Sequence, residues 1–204
     1  MCNITACRAI ISLVMVGAMA KSVKQTDADN IVLRARTEAE ALGQLYELYY
    51  ERIFRFCVHR LFSKETAEDV TSIIFLEVAS RIRSFGGRTE QDFQNWLYAI
   101  AANQANAYIR KTSRRKRLLA EAAGSMTDNT TDNSSELNWP RLYAAILKLN
   151  SEHQTIITLR FFENMEFEQI AKILDAREAT LRVTLHRILK KLRRRLETVF
   201  EGEL

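Results

Sequence analysis

Arg177, Glu178, Thr180 and Arg182 stand at the head of a segment that continues through Arg187, Lys190, Lys191 and Arg194. These side chains suit one kind of chemistry. A guanidinium makes paired hydrogen bonds to guanine, a threonine methyl packs on thymine, and cations spaced along a helix hold phosphates. From Arg182 to Arg195 the segment carries seven Arg or Lys and no acid. Its apolar residues Leu181, Leu185, Ile188, Leu192, Leu196 and Val199 recur at helical spacing, so most of the cations fall outside the apolar stripe. Just upstream, Phe167, Ile170, Ala171 and Leu174 mark a shorter helix, and Asp175-Ala176-Arg177 separates the two. Helices joined by so short a turn form a helix-turn-helix, whose second helix enters a DNA major groove. Arg177, Glu178, Thr180 and Arg182 are then candidates for base edges. Arg187, Lys190, Lys191 and Arg194 are candidates for phosphates, with His186 exposed and Leu181 packed inward.

Enzymatic chemistry finds no comparable constellation. The chain has no Gly-rich phosphate loop and no nucleophile beside a base, and its three histidines, His59, His153 and His186, are scattered. Cys2, Cys7 and Cys57 complete no zinc spacing, and Cys57 reads as a small buried hydrophobe. No catalytic residue, metal, cofactor or small-molecule substrate is expected. The charge has a clear distribution instead. Arg110 to Arg117 holds six basic residues and no acid. Together with the seven above, these cations exceed the net formal charge of +5, so the rest of the chain is net acidic. Two basic strips on an acidic body suit a polyanion.

One proline, six glycines and 47% hydrophobic residues in 204 predict an all-α chain with ample core. A helix, or two, is expected over Val32 to Phe62, burying Leu42, Leu45, Tyr49, Ile53, Phe56 and Leu61. Ser63 is the expected N-cap of a helix near Lys64 to Ser84, which buries Val70, Ile73, Ile74 and Val78. After Phe85-Gly86-Gly87-Arg88, Thr89 caps a third helix running to about Arg117, with Phe93, Trp96, Leu97, Ile100 and Ala101 inward. Gly124 to Asn138 is rich in Thr, Asp, Asn and Ser and is expected to be a flexible linker. Beyond it Leu142, Ile146 and Leu149 form one helix. Ser151-Glu152-His153-Gln154 reads as a capping box for another, carrying Ile156, Ile157, Leu159, Phe161 and Phe162. The expected organisation is a 1–30 extension, a 31–122 module, a 123–138 linker and a 139–204 module ending in the helix-turn-helix. The apolar run Ala9 to Ala20 is too short to span a bilayer and imitates a secretory signal. Export would part a DNA reader from DNA, so a natural start at Met19 or Met15 is the simpler expectation.

Three stretches together resemble the extracytoplasmic-function group of bacterial RNA polymerase sigma factors. Ala67-Glu68-Asp69-Val70 with Phe75-Leu76 resembles the group's polymerase-docking helix. Trp96-Leu97-Tyr98-Ala99-Ile100-Ala101-Ala102-Asn103 with Ile109-Arg110 resembles its promoter-melting helix, and Leu159 to Leu192 its module for the −35 element. The chain departs from the family pattern at Ser72, Ile73, Ala99, Asp175 and Thr184. Asp tolerates left-handed backbone better than most residues, so the turn at Asp175 survives.

The resemblance implies two small helical modules, core RNA polymerase and promoter DNA as partners, an anti-sigma factor as a regulator, and a cytoplasmic location. It implies that Glu68, Asp69, Phe75 and Leu76 bind polymerase. Asn103, Asn106 and Arg110 lie three and four residues apart, and an amide offers a base edge both donor and acceptor. With the loop Phe85 to Thr89 they are expected to capture non-template −10 bases, while Lys111, Arg114 and Arg115 hold the backbone. The −35 set is Arg177, Glu178, Thr180, Arg182, Arg187, Lys190, Lys191 and Arg194. The competing reading is a helix-turn-helix regulator that works without polymerase.

Overall fold

The first module is assembled from four helices whose ends are written in short polar motifs. A computed structural model describes residues 25–123 and 139–200. The apolar N-terminal run, the alternative starts Met15 and Met19, and the expected linker over 124–138 lie outside those residues. Helix α2 (Ala39–Leu61) fills most of the stretch expected from Val32 to Phe62, whereas α1 (Gln25–Arg34) begins upstream of it, within the expected 1–30 extension. The Arg34 guanidinium reaches Glu38 across the break between them, at 2.7 Å. Ser63 caps α3 (Lys64–Arg81), its hydroxyl accepting the Thr66 N–H at 3.2 Å. One 3-10 turn, Ile82–Ser84, extends α3 to the expected end. Helix α4 (Glu90–Ala123) opens on a reciprocal cap, in which Thr89 Oγ1 accepts the Asp92 N–H at 3.1 Å. Asp92 in turn accepts the N–H groups of Arg88 and Thr89 at 3.0 and 3.1 Å. Those bonds hold its carboxyl below the ordinary carboxylate range.

Leu45, Tyr49, Ile53 and Phe56 from α2 meet Phe93, Leu97, Ile100 and Ala101 from α4 in one core, as the apolar spacing predicts. On α3 the phase is the expected one for Val70, Ile74 and Val78, and Ile73 is the exception. Ala67, Val70, Ile74, Phe75 and Val78 point inward, whereas Ile73 is 48% exposed. Phe75 flanks the buried stripe on its other side, with its ring 4.8 Å from Tyr46 and 6.2 Å from Tyr50.

The second module holds α5 (Trp139–Leu147), α6 (Ser151–Ile157), a π turn (Thr158–Phe162), α7 (Phe167–Leu174) and α8 (Glu178–Phe200). The cap of α6 lies one residue earlier than the sequence motif suggests. Asn150 Oδ1 takes the His153 N–H at 2.8 Å, which frees Ser151 and Gln154 for other partners. The π turn rotates Phe161 outward and lays Phe162 against the ring of His59 in the first module, 4.2 Å between centroids. Glu166 and Gln169 cap α7 reciprocally. Asp175 ends that helix in left-handed backbone, φ 48° and ψ 50°. Helix α7 packs against both α8 and α4. It therefore buries Ile173 as well as Ile170, with Phe167, Ala171 and Leu174 half-buried around them. Every described element is helical, turn or loop.

Candidate nucleic-acid interface

Helix α8 divides cleanly by burial. Leu181, Leu185, Ile188 and Leu192 are buried, while Arg182, Arg187, Lys190, Lys191 and Arg194 are exposed. His186 is exposed too, and Arg177 and Thr180 project at the start of the helix with Glu178 half-buried beside them. Arg182 is not loose. Its Nε donates to Glu178 Oε1 at 3.0 Å, and its guanidinium lies 4.5 Å from the centroid of the Phe167 ring on α7. A cation over an aromatic face is attracted by the ring quadrupole, so the first helix of the motif orients a side chain of the second. The apolar spacing alone marks Phe167 for packing and gives no sign of this second role. Arg160 adds another guanidinium to the same ring at 5.1 Å.

On α4, Asn103, Arg110, Lys111, Arg114 and Arg115 are exposed. The loop before the helix is braced rather than open. Trp96 is half-buried and stacks on Phe85 at 4.8 Å, which answers to its expected core role and fixes the loop at once. Arg36 donates to the Gly87 carbonyl, and its guanidinium lies 5.8 Å from the Phe85 ring. A side chain at Gly87 would sit 2.6 Å from Asp92 Cβ and closer still to the Phe85 ring, so this position requires glycine.

Asn106 departs from the expected solvent-facing triad. Its Oδ1 accepts from Arg60 Nη2 at 2.5 Å, from Thr155 Oγ1 at 3.3 Å and from the Ser151 hydroxyl. Two of those donors belong to the second module. Arg60, 1% exposed, also donates from Nη1 to Gln154 Oε1 at 2.7 Å and from Nη2 to the Ser151 carbonyl at 3.2 Å. Burial lowers its pKa to about 10, so it stays charged at neutral pH. Nearby, Tyr98 donates to Glu163 Oε2 at 2.7 Å, and Gln169 Nε2 to Gln91 Oε1 at 3.2 Å. Sequence reasoning missed Arg60, Ser151, Gln154 and Glu163 as partners, since these contacts join residues far apart in the chain.

On α3, Glu68 and Asp69 are exposed, as are Ile73 and Leu76, the last at 70%. Asp69, Ile73 and Leu76 are spaced by four and three residues and share a face. Phe75, expected on that surface, is turned inward against Tyr46 and Tyr50. Cys57 is buried and desolvation pushes its thiol up to about 11, as for an inert core cysteine. No helix among the described residues is long and apolar enough to cross a membrane.

The family described as Sigma-70 region 2 matches residues 45–115, and Sigma-70, region 4 matches residues 140–192. The chain is 33% identical over 174 residues to the ECF RNA polymerase sigma factor BldN of Streptomyces coelicolor, covering 81% of this chain and 64% of BldN. It is 32% identical over 151 residues to the ECF RNA polymerase sigma-E factor of Haemophilus influenzae, covering 68% of this chain and 78% of that protein. A solved structure of RpoE in complex with the anti-sigma factor NepR from Bartonella quintana matches with a TM-score of 0.55 at 18% identity. That match covers 76% of this chain and 96% of RpoE, and it shows the fold. The chain belongs to the extracytoplasmic-function group of RNA polymerase sigma factors. It is a transcription initiation factor that directs RNA polymerase to specific promoters.

Proposed function

We propose that the two modules divide promoter recognition between duplex and melted DNA. Helix α8 enters the major groove of the −35 element with Arg177, Glu178, Thr180 and Arg182 at base edges. Arg187, Lys190, Lys191 and Arg194 hold the flanking phosphates and set the register without reading sequence. The observation that carries this reading is the outward side of α8, where six cations stand exposed beside three buried leucines and one isoleucine. In the first module, Asn103, Asn106 and the braced Phe85–Thr89 loop take the non-template −10 bases as they leave the stack. Arg110, Lys111, Arg114 and Arg115 track the backbone upstream.

Polymerase docks on the exposed face of α3, where Ile73 and Leu76 supply apolar contact and Glu68 and Asp69 supply charge. Phe75 shapes that face from beneath through Tyr46 and Tyr50. The covalent chemistry of transcription belongs to polymerase, and this chain contributes binding and strand capture. Its site of action is then the cytoplasm, where polymerase and promoters are. An anti-sigma factor is a further partner, by analogy with NepR on RpoE, and would act by holding the modules away from DNA and polymerase. The testing experiment is comigration with core polymerase in gel filtration, wild type against Leu76→Asp. Wild type comigrates, and the aspartate variant elutes free while keeping its thermal midpoint. A wild-type chain that elutes alone and binds operator tightly by itself overturns the reading in favour of a polymerase-independent regulator.

A further inference from the structure

The loop that leads into α4 is fastened in part by residues that precede the Sigma-70 region 2 match at 45–115. Helix α1 packs on both α2 and α4, with Ala28 and Val32 buried. That packing aims Asp29 at the start of α4, where its Oδ1 accepts the Glu90 N–H at 2.6 Å. An amide of the first helical turn, which has no partner within its own helix, is thus satisfied from another element. Tyr49 donates to the Glu90 carboxylate at 2.9 Å, so Glu90 is held through backbone and side chain at once. Just past α1, Arg36 donates to the Gly87 carbonyl, and its guanidinium lies 5.8 Å from the Phe85 ring. Asp92 ties the Arg88 and Thr89 amides from within α4, and Asp29 and Arg36 add bracing from outside. We infer that Asp29 and Arg36 are positioning residues for −10 recognition: they hold the loop in the shape that takes a base. The segment ahead of region 2 then sets how sharply the −10 element is read. The inference rests on the reading of the Phe85–Thr89 loop as a part that takes non-template bases.

The energetics of loop ordering give this bracing a consequence for DNA. A loop that orders only on binding spends part of the contact energy on itself, on the order of tenfold in affinity for each residue fixed. Fastened beforehand, it meets a matched base without that loss, and it does not yield to fit a mismatched one. Arg36 grips the loop at Gly87, the position that admits no side chain, so it fixes backbone there. Arg36 is half-buried and its guanidinium is turned to Gly87 and Phe85. Its effect on DNA therefore passes through the loop.

Holoenzyme reconstituted from core polymerase and the full chain tests this over a promoter library randomised in both elements. Arg36→Met and Asp29→Ala remove the two fastenings. Arg36→Lys keeps a donor and a cation, and Asp29→Asn keeps an acceptor. The first pair should flatten −10 preferences about fivefold to tenfold, the scale of one residue released from order, with −35 preferences and polymerase affinity unchanged. The second pair should keep most of the wild-type preference. Deuterium exchange at the amides of residues 86–90, read on the free chain, should quicken in the first pair and not in the second. The slope of log affinity against log salt should not change in Arg36→Met. A slope lower by about one would make Arg36 a phosphate contact and overturn the inference. Wild-type sharpness at −10 in both Arg36→Met and Asp29→Ala would overturn it too. So would losses that fall equally on −10, −35 and polymerase binding, the mark of general unfolding. A wild type with no −10 preference has a different signature: it removes the reading of the loop itself, and the inference goes with it.

Discussion

Arg182→Ala removes the side chain best placed to read a base, and the structure sets the size of the loss. In the free protein its guanidinium is shared between Glu178, a partly exposed partner four residues earlier, and the face of Phe167. An exposed pair of that spacing contributes about 0.3–0.5 kcal/mol, and a surface cation–π contact about 0.5–1 kcal/mol. A bidentate contact to guanine discriminates by about 1–3 kcal/mol. The base therefore outcompetes Glu178, while Phe167 can keep the guanidinium aimed throughout. Loss of the arginine should cost about 5- to 150-fold at one base pair and little elsewhere. The assay is promoter binding by reconstituted holoenzyme, with each −35 base pair replaced in turn. Equal losses for Arg182→Ala on matched and scrambled −35 elements would refute the reasoning, since that is the behaviour of a phosphate contact.

Lys190→Ala should weaken binding to all sequences alike and lower the slope of log affinity against log salt by about one, measured by titration with sodium chloride. Gly87→Ala should cost about 1–3 kcal/mol through overpacking against Asp92 and Phe85, lowering the thermal midpoint by several degrees; an unchanged midpoint would contradict the close approach. Burial raises the carboxyl of Glu163 above its ordinary range, against the lowering pull of Tyr98, Arg55 and Arg52. A carboxyl raised in the folded state binds its proton more tightly there. Its favourable contribution is full below the ordinary carboxylate pKa and is lost as pH rises through the raised value. Thermal midpoints between about pH 4 and about pH 8 should thus fall more steeply with pH in wild type than in Glu163→Gln, and identical slopes would falsify the assignment.

Local grammar makes most of the fold legible in the sequence. Ser63 and Thr89 cap the helices they precede, and the apolar stripes of α2, α4 and α8 lie where their spacing puts them. Asp175 adopts the left-handed turn in place of glycine. The departures have physical causes that local pattern does not carry. Ile73 and Phe75 flank the buried stripe of α3 on opposite sides, and the side that is covered is the one where Tyr46 and Tyr50 meet Phe75. Ile173 is buried because α7 faces two neighbours rather than one. Helical spacing sets Asn106 on a solvent-facing side of α4, but its actual partners lie 45 to 49 residues away along the chain. One signal for the contact between the modules is present. Arg60 follows Ile53, Phe56 and Cys57 at seven, four and three residues, so it falls in the buried stripe of its own helix. A charge in an apolar phase announces a partner from elsewhere in the fold, though not which one.

Transcription in vitro with sigma-free core polymerase over a random promoter library tests the central claim most directly. The account predicts start sites that depend on this protein, preceded by two short sequence elements at a fixed separation, with Arg182→Ala relaxing one position of the upstream element alone. Start sites indistinguishable from those of core polymerase by itself, at every salt concentration, would contradict it.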